Sequence, residues 1–187
     1  MLLFVDTEFA DVHARELVSL ALVSADGAFE FYAERDPLPA SPTDFVRSVV
    51  YPRLDRGVRA LPDEQFTPQL QNFLAHVKAA SPTGRILVAY DFTADVHLLD
   101  FTLDGFKSPQ EPTPPLYEVF DLSRLGGDYA LLVDDIFEKQ PEARARRHHA
   151  LTDARVNRDA YRILVKLLGR QPAHTPDQCD DVPDQTP

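Results

Sequence analysis

The sequence predicts one α/β domain, and three observations lead to this fold class. Residues 2–5 form an uninterrupted apolar run, which is typical of a central strand buried on both faces. Residues 16–24 and 28–33 predict two more strands, joined by the strong hairpin turn Asp26-Gly27. Segments with helical periodicity then alternate with further strands. The 187 residues, 44% of them hydrophobic, suffice for one sizeable core, so a second domain is not expected.

Beyond the hairpin, the remaining predicted elements alternate between helix and strand. In chain order they are a Pro-rich loop (35–43), a helix (67–79), a strand (86–90), a helix (96–103), a loop with four prolines (108–116), a strand (117–122), a helix near 129–139 and a last helix from about residue 152. We therefore expect a mixed sheet of about five strands, flanked by helices.

The composition of residues 171–187 differs from that of the domain that precedes it, residues 1–170. This segment has four prolines, four aspartates and no lysine or arginine, so we expect a flexible acidic tail. It holds the single cysteine, Cys179, which excludes an internal disulfide and a cysteine-based zinc site. No charged-then-apolar leader and no run of membrane length occur, so we expect a soluble cytoplasmic protein without a membrane partner.

Asp6 and Glu8 are the first candidate functional residues. They follow the apolar run directly, and their spacing of two places both side chains on one face of a strand. Two carboxylates about 4 Å apart repel by about 4 kcal/mol at an effective dielectric constant near 20. A hard divalent cation between them would remove this repulsion. The alternative is that Glu8 lies beyond the strand, in solvent.

Residues 147–155 contain the second group of candidates, His148, His149 and Asp153. A helix should begin near Thr152, with one side formed by Ala154, Asn157, Tyr161, Leu164, Val165 and Leu168. Asp153 falls close to that side in the first turn. A carboxylate there either binds a ligand or stabilises the helix N-terminus. His148 would lie in the loop that enters the helix, within reach of a ligand bound over Asp153.

Two segments of the chain resemble motifs of the DEDD superfamily of 3′-5′ exonucleases. Asp6-x-Glu8 is similar to motif one, and His148-x-x-x-x-Asp153 is similar to motif three of the branch that uses a histidine there. His149 breaks this spacing and is the weaker candidate of the two histidines. The resemblance implies a ribonuclease H-like fold and the hydrolysis of phosphodiesters with two divalent metal ions.

A middle motif is expected between these two, and residues 85–99 are similar to it. Aligned without gaps, Asp95 takes the place of the metal-binding acid, and Leu98-Leu99 take the place of an apolar pair. Asp91 stands where the family commonly has asparagine, so Asp91 is an alternative ligand. We favour Asp95 because its spacing to the strand and to the apolar pair is that of the family. The unused acid would be a helix cap or a solvated charge.

The resemblance also implies roles for the remaining residues. Two Mg²⁺ or Mn²⁺ ions would be held by Asp6, Glu8, Asp95 and Asp153, and His148 would take the proton from the attacking water. The products would be nucleoside 5′-monophosphates. Phe9 could stack on the terminal base, although a place in the core is the more ordinary role for such a residue.

The substrate is expected to be RNA because the chain also resembles a group of small, stand-alone exoribonucleases of mycobacteria and their relatives. This resemblance includes the Asp-Thr-Glu-Phe start, the segment 44–54 and the His-x-Ala-Leu-x-Asp-Ala-Arg end. Single-stranded DNA 3′ ends are an alternative substrate, and a catalytically silent nucleic-acid-binding domain is an alternative function. The oligomeric state stays open, with a homodimer among the options.

The net charge of −11 opposes binding to a polyanion. The distribution of charge reduces this objection, because residues 144–170 contain eight lysines or arginines that could hold phosphates. For most of these arginines, however, we expect a solvated helix face with i,i+4 ion pairs. We expect a small footprint of a few nucleotides at a 3′ end.

Overall fold

The fold is known from a computed structural model, which describes residues 1–13, 16–107 and 116–169. Its helices and strands follow one another as β1 (Leu2–Phe9), β2 (Leu17–Ser24), β3 (Glu30–Arg35), β4 (Ala60–Leu61), α1 (Asp63–Ala80), β5 (Leu87–Tyr90), α2 (Thr93–Leu103), β6 (Glu118–Asp121), α3 (Gly127–Lys139), α4 (Pro141–Ala145) and α5 (Ala150–Leu167). Between β3 and β4 lie a π-helical turn (Val46–Val50) and two 3₁₀ turns (Tyr51–Arg53 and Gly57–Arg59).

The six strands form one mixed sheet in the order β4-β3-β2-β1-β5-β6. β2 is antiparallel to both of its neighbours, β1 and β3, whereas β5 is parallel to β1 and to β6. The short β4 is parallel to β3 at the edge of the sheet. The predicted α/β class is confirmed. This mixed sheet with helices on both faces also agrees with the ribonuclease H-like fold that the resemblance implies.

The apolar run of β1 is explained by the two helical layers that cover the central strand. Leu3 and Val5 pack in a core with α1 and α2, and Leu2 and Phe4 pack in a second core with α3 and α5. Since side chains alternate along a strand, Asp6 falls on the face that α5 covers. The carboxylate of Asp6 therefore faces the layer of the fold that contains α5.

The observed elements differ from the predicted ones in a few places. The sheet has six strands instead of about five, because two residues of β4 extend it. Helix α1 begins at Asp63, four residues before the predicted start. Leu168 was predicted on the buried side of the last helix, yet 56% of it is exposed. The predictions for the loop 108–115, and for the tail 171–187 with Cys179, lie outside the described residues.

None of the described helices combines the length and the apolar composition that crossing a lipid bilayer requires.

Candidate metal centre and active site

Acidic side chains from three distant parts of the chain meet in one pocket at the end of β1. The pocket has a volume of about 610 Å³. It is lined by Asp6, Thr7, Glu8, Phe9, Asp11, Val12, Thr43, Phe45, Val46, Val50, Asp91, Phe92, Asp95, His148 and Asp153. All five residues predicted as catalytic or metal-binding line this pocket, and so does Phe9.

The strand pairing explains why the first and second segments meet. Phe4 of β1 pairs with Ala89 of the parallel strand β5, so the same register carries Asp6 to the level of Asp91. Helix α2 starts directly afterwards and has Asp95 in its first turn. Glu8 lies within β1 and is buried, so the alternative of a solvent-exposed Glu8 is wrong.

The third segment enters the pocket through the start of α5. Asp153 lies in the first turn, and its Oδ2 atom accepts a hydrogen bond from the backbone N–H of His148 at 3.0 Å. His148 has a left-handed backbone with φ of 70°, which is uncommon for a residue other than glycine. The bond to Asp153 helps to hold this turn. It places the imidazole of His148 at the pocket, edge-on to Phe45 with ring centres 5.0 Å apart.

The carboxylates and the histidine fall into two groups of three. In each group the ligand atoms lie within 4.8 Å of one another: Asp6, Asp91 and Asp95 form one group, and Glu8, His148 and Asp153 form the other. The structure thus brings together every residue that the resemblance implies, and it adds Asp91 to the first group. Both candidates for the middle motif are next to Asp6.

Asp91 and Asp95 are held in different ways. The Oδ1 atom of Asp95 accepts hydrogen bonds from the backbone N–H and the hydroxyl of Thr7, at 3.0 and 2.7 Å. Asp95 is only 2% exposed, whereas Asp91 is open to solvent. Asp91 is hydrogen-bonded by the buried side chain of Asn157, which in turn accepts a bond from the hydroxyl of Tyr129 at 2.9 Å. Asp95 is thus fixed by the neighbouring strand, and Asp91 by two helices.

Crowding and burial raise the pKa values of these acids. Burial and the charge of Asp95 raise the pKa of Asp6 well above its usual range. Burial, with the nearby charge of Asp153, raises the pKa of Glu8 to about 8. Burial also raises the pKa values of Asp95 and Asp153, each to about 7. Without a cation, this site therefore prefers to hold protons at neutral pH.

The donor set fits a hard divalent cation better than it fits any neighbouring protein group. Among the described residues, the buried Oδ1 atom of Asp153 has no hydrogen-bond partner. Carboxylate oxygens are the ligands that suit Mg²⁺ or Mn²⁺. The charge of Arg53 lowers the pKa of Glu8, and the charges of Arg147 and Arg53 lower that of Asp153, but neither effect overcomes burial.

His149 faces away from the pocket although it adjoins His148. It is 1% exposed, and its ring packs against Tyr32 with centres 4.5 Å apart. Its Nε2 atom lies 3.6 Å from a carboxylate oxygen of Asp55. Burial, together with the charge of Arg146, lowers the pKa of His149 to about 4, so its imidazole is neutral at pH 7.

The surroundings of His149 include a further group of possible ligands, Glu34, Asp55 and His149, whose atoms lie within 4.8 Å of one another. Their charge is already balanced. Arg146 bonds Asp55 at 2.6 Å, and the guanidinium of Arg56 lies 3.5 Å from Glu34. Glu34 also accepts backbone hydrogen bonds from Asp55 and Arg56 at 2.6 and 2.9 Å. These contacts hold the loop between the two 3₁₀ turns against β3. No bound cation is needed to balance the charge of this group.

Two exposed aromatic residues on the pocket were not predicted. Phe92 is 57% exposed and stacks on Phe9, with ring centres 6.1 Å apart and planes 21° apart. Phe45 is 50% exposed. Phe9 itself is partly buried against the α1 core, which is the more ordinary of the two roles considered for it. Phe92 could have been noticed because it follows Asp91 directly, whereas Phe45 reaches the pocket only through the tertiary fold.

None of the described lysines and arginines of residues 144–169 lines the pocket. Arg146 and Arg147 pair with Asp55 and Asp134, and Arg155 pairs with Glu30 on β3. The expected i,i+4 pairs are wrong for these arginines, because their partners lie on other elements. The arginines fasten α5 and the loop before it to the rest of the domain.

Scans of the chain against protein-family models and against curated proteins found no match.

Proposed function

We propose that the chain is a metal-dependent 3′-5′ exonuclease that removes nucleoside 5′-monophosphates from RNA 3′ ends. The observation that carries the proposal is the meeting of Asp6, Glu8, Asp95 and Asp153 beside His148 in one pocket. Mutually repelling carboxylates at a buried site cost free energy. A cation-dependent reaction accounts for that cost, whereas packing alone does not.

The two groups of ligands suit a pair of cations. Asp6, Asp95 and Asp91 would hold one ion, and Glu8 and Asp153 would hold the other. When bound, the two ions supply charge for the pentavalent phosphorus and for the attacking and departing oxygens. Thr7 orients Asp95, and Asn157 orients Asp91, so both carboxylates are preorganised for metal binding.

His148 is suited to accept the proton of the attacking water. Burial, with the charges of Arg147 and Arg53, lowers the pKa of His148. The imidazole is therefore neutral near pH 7 and has a free nitrogen lone pair. The edge contact with Phe45 limits the rotation of the ring, and a ring nitrogen lies within 4.8 Å of carboxylate oxygens of Glu8 and Asp153.

The aromatic side chains of the pocket are suited to binding the 3′ end of a nucleic-acid strand. The exposed ring of Phe92, backed by Phe9, offers a flat face on which a terminal base can stack without regard to its identity. A pocket of about 610 Å³ takes a ligand of nucleotide size and not a duplex. The preference for RNA is proposed only from the resemblance to the small exoribonucleases.

The direct test is degradation of 5′-fluorescein-labelled RNA and DNA oligonucleotides of the same sequence. We expect a ladder that shortens from the 3′ end with Mn²⁺ or Mg²⁺, no product with EDTA, and faster loss of RNA. Asp6→Asn should remove the activity, and Glu64→Gln, at an exposed position of α1, is the matched control. Faster loss of DNA would reverse the substrate, and no shortening of either strand would favour a silent nucleic-acid-binding domain.

A further inference from the structure

A second concave surface lies between α3 and α5, and among the residues that the structure describes it shares none with the metal pocket. Its volume is about 680 Å³. It is lined by Asp128, Leu131, Leu132, Asp134, Asp135, Glu138, Leu164, Leu167 and Leu168. The five leucines form its floor, and we refer to them as the leucine groove.

The leucine groove exposes far more apolar surface than the fold requires. Leu131, Leu167 and Leu168 are 68%, 72% and 56% exposed. Leu164 and Leu132 already belong to the core between α3 and α5, so the three exposed leucines are not needed to cover it. Exposed leucines that are contiguous along one groove mark interaction surfaces in soluble proteins.

The edge of the leucine groove is acidic. Asp128, Asp134, Asp135 and Glu138 all lie on α3, and none of the lysines and arginines that the structure describes lines the groove. Asp134 pairs with Arg147 at 3.2 Å, and Asp135 pairs with Lys139 at 2.7 Å. For Asp128 and Glu138, no ion pair forms within the described part of the chain. The edge therefore keeps a net negative charge.

The apolar floor and the acidic edge together restrict which partners can bind in the leucine groove. Two copies of the chain would bring acidic edges together, and RNA would be repelled. Residues 170–187 continue from the end of α5, but they carry four aspartates and few apolar side chains. A helix with leucines on one face and lysines or arginines along the border of that face complements both the floor and the edge.

We propose that the leucine groove binds a basic amphipathic helix of another protein. Leu164, Leu167 and Leu168 follow i, i+3, i+4 spacing, which presents one apolar stripe along α5 to an added helix. The incoming helix would lie between α3 and α5 as a third member of a helical layer.

The position of the groove allows binding without closing the active site. Leu164 follows Asp153 by eleven residues of α5, which corresponds to about 16 Å along the helix axis. A protein held here could carry or recruit the domain while the metal pocket stays open. The proposal does not rest on the proposed nuclease activity.

The test uses a fluorescein-labelled synthetic peptide of leucine and lysine with helical periodicity, titrated with the full chain and followed by fluorescence anisotropy. A peptide with glutamate in place of every lysine is the matched probe. We expect the lysine peptide to bind at least about tenfold more tightly than the glutamate peptide, and added salt to weaken its binding.

Variants of the groove locate the site. Leu131→Ser with Leu167→Ser should weaken lysine-peptide binding about tenfold or more, since these leucines would be buried in the complex. Asp128→Asn with Glu138→Gln should weaken it severalfold. The control Val58→Ser removes an apolar side chain that is 91% exposed elsewhere, and it should leave binding unchanged. Circular dichroism confirms that each variant is folded.

Several results would overturn the proposal. Equal binding of both peptides, or loss of binding in the Val58→Ser control but not in the groove variants, would remove the groove as the site. A dimer in sedimentation that Leu167→Ser dissociates would make a second copy the occupant. Displacement of the lysine peptide by a peptide of residues 170–187 would assign the groove to the tail.

Discussion

The protein without divalent cations should lose stability as the pH rises from about 5.5 to about 8.5. The pKa values of Asp95 and Asp153 are about 7 in the folded chain, and that of Glu8 is about 8, against usual values of 3.8, 3.8 and 4.5. Between those values the folded state binds more protons than the unfolded state. The free energy of unfolding therefore decreases as pH rises through this window, and it levels off above about 8.

The size of the effect follows from one of these groups. For Asp95, the part of the pKa shift that lies inside this window, between pH 5.5 and about 7, corresponds to roughly 2 kcal/mol. The acids repel one another and titrate as a set, so their contributions do not add, and we take this one value for the whole site. For a chain of this length, about 2 kcal/mol corresponds to a decrease in Tm of roughly 4–8 °C.

Cations should reverse this decrease. A divalent ion at about one hundred times its Kd stabilises the folded state by about 2.7 kcal/mol, or roughly 5–11 °C. The assay is thermal unfolding by circular dichroism at both pH values, with EDTA or with Mn²⁺. Mn²⁺ should act strongly at the higher pH and weakly at the lower, where protons compete for the carboxylates.

A variant separates the site from general effects of pH. Asp6→Asn should flatten the dependence of Tm on pH in EDTA and raise Tm at the higher pH, because one repelling charge is gone. Glu64→Gln should behave like the unchanged protein. A Tm in EDTA that stays constant or rises between the two pH values would refute the reasoning, and so would a Tm at high pH that Mn²⁺ leaves unchanged.

Three further predictions concern single residues. His148→Ala should lower the rate of RNA hydrolysis by about 10²–10⁴ with little change in Tm, whereas His149→Ala should destabilise the fold by about 2–3 kcal/mol because a buried ring is lost. The reverse ranking would exchange the two histidines. Asp95→Asn should abolish stabilisation by Mn²⁺, and Asp91→Asn should only weaken it, as calorimetric titration would show. Phe92→Ala should raise KM for RNA about tenfold with kcat less affected, and an unchanged KM would exclude stacking on this ring.

The sequence predicted those parts of the fold in which local pattern and tertiary structure agree. The apolar run of β1 and the Asp26-Gly27 turn specify their own elements. In contrast, β4 has two residues and exists only because it pairs with β3. A strand of two residues is too short to produce a recognisable sequence periodicity. The exposure of Leu168 was also beyond prediction, because periodicity places a residue on a face but does not say where the neighbouring helix ends.

The candidate site was predictable where strand geometry alone fixes direction. Asp6 and Glu8 share a face by their spacing, and the parallel pairing of β1 with β5 brings residues 91–95 to the same edge. The sequence favours Asp95 over Asp91 as the ligand of the middle motif, and this stays a prediction, since both lie near Asp6 and differ in exposure and in what holds them. The opposite directions of His148 and His149 depend on the left-handed turn at His148, which sequence pattern does not reveal.

The positions of the arginines show how the net charge of −11 bears on nucleic-acid binding. Arg146, Arg147 and Arg155 are bound to acids on other elements, so they do not form a surface that attracts a polyanion. The pocket itself concentrates negative charge and, without cations, repels a phosphate. Divalent ions would therefore be needed both to bind the substrate and to cleave it. RNA binding should depend on cations even in a variant such as His148→Ala, which keeps the carboxylates and loses the proton acceptor.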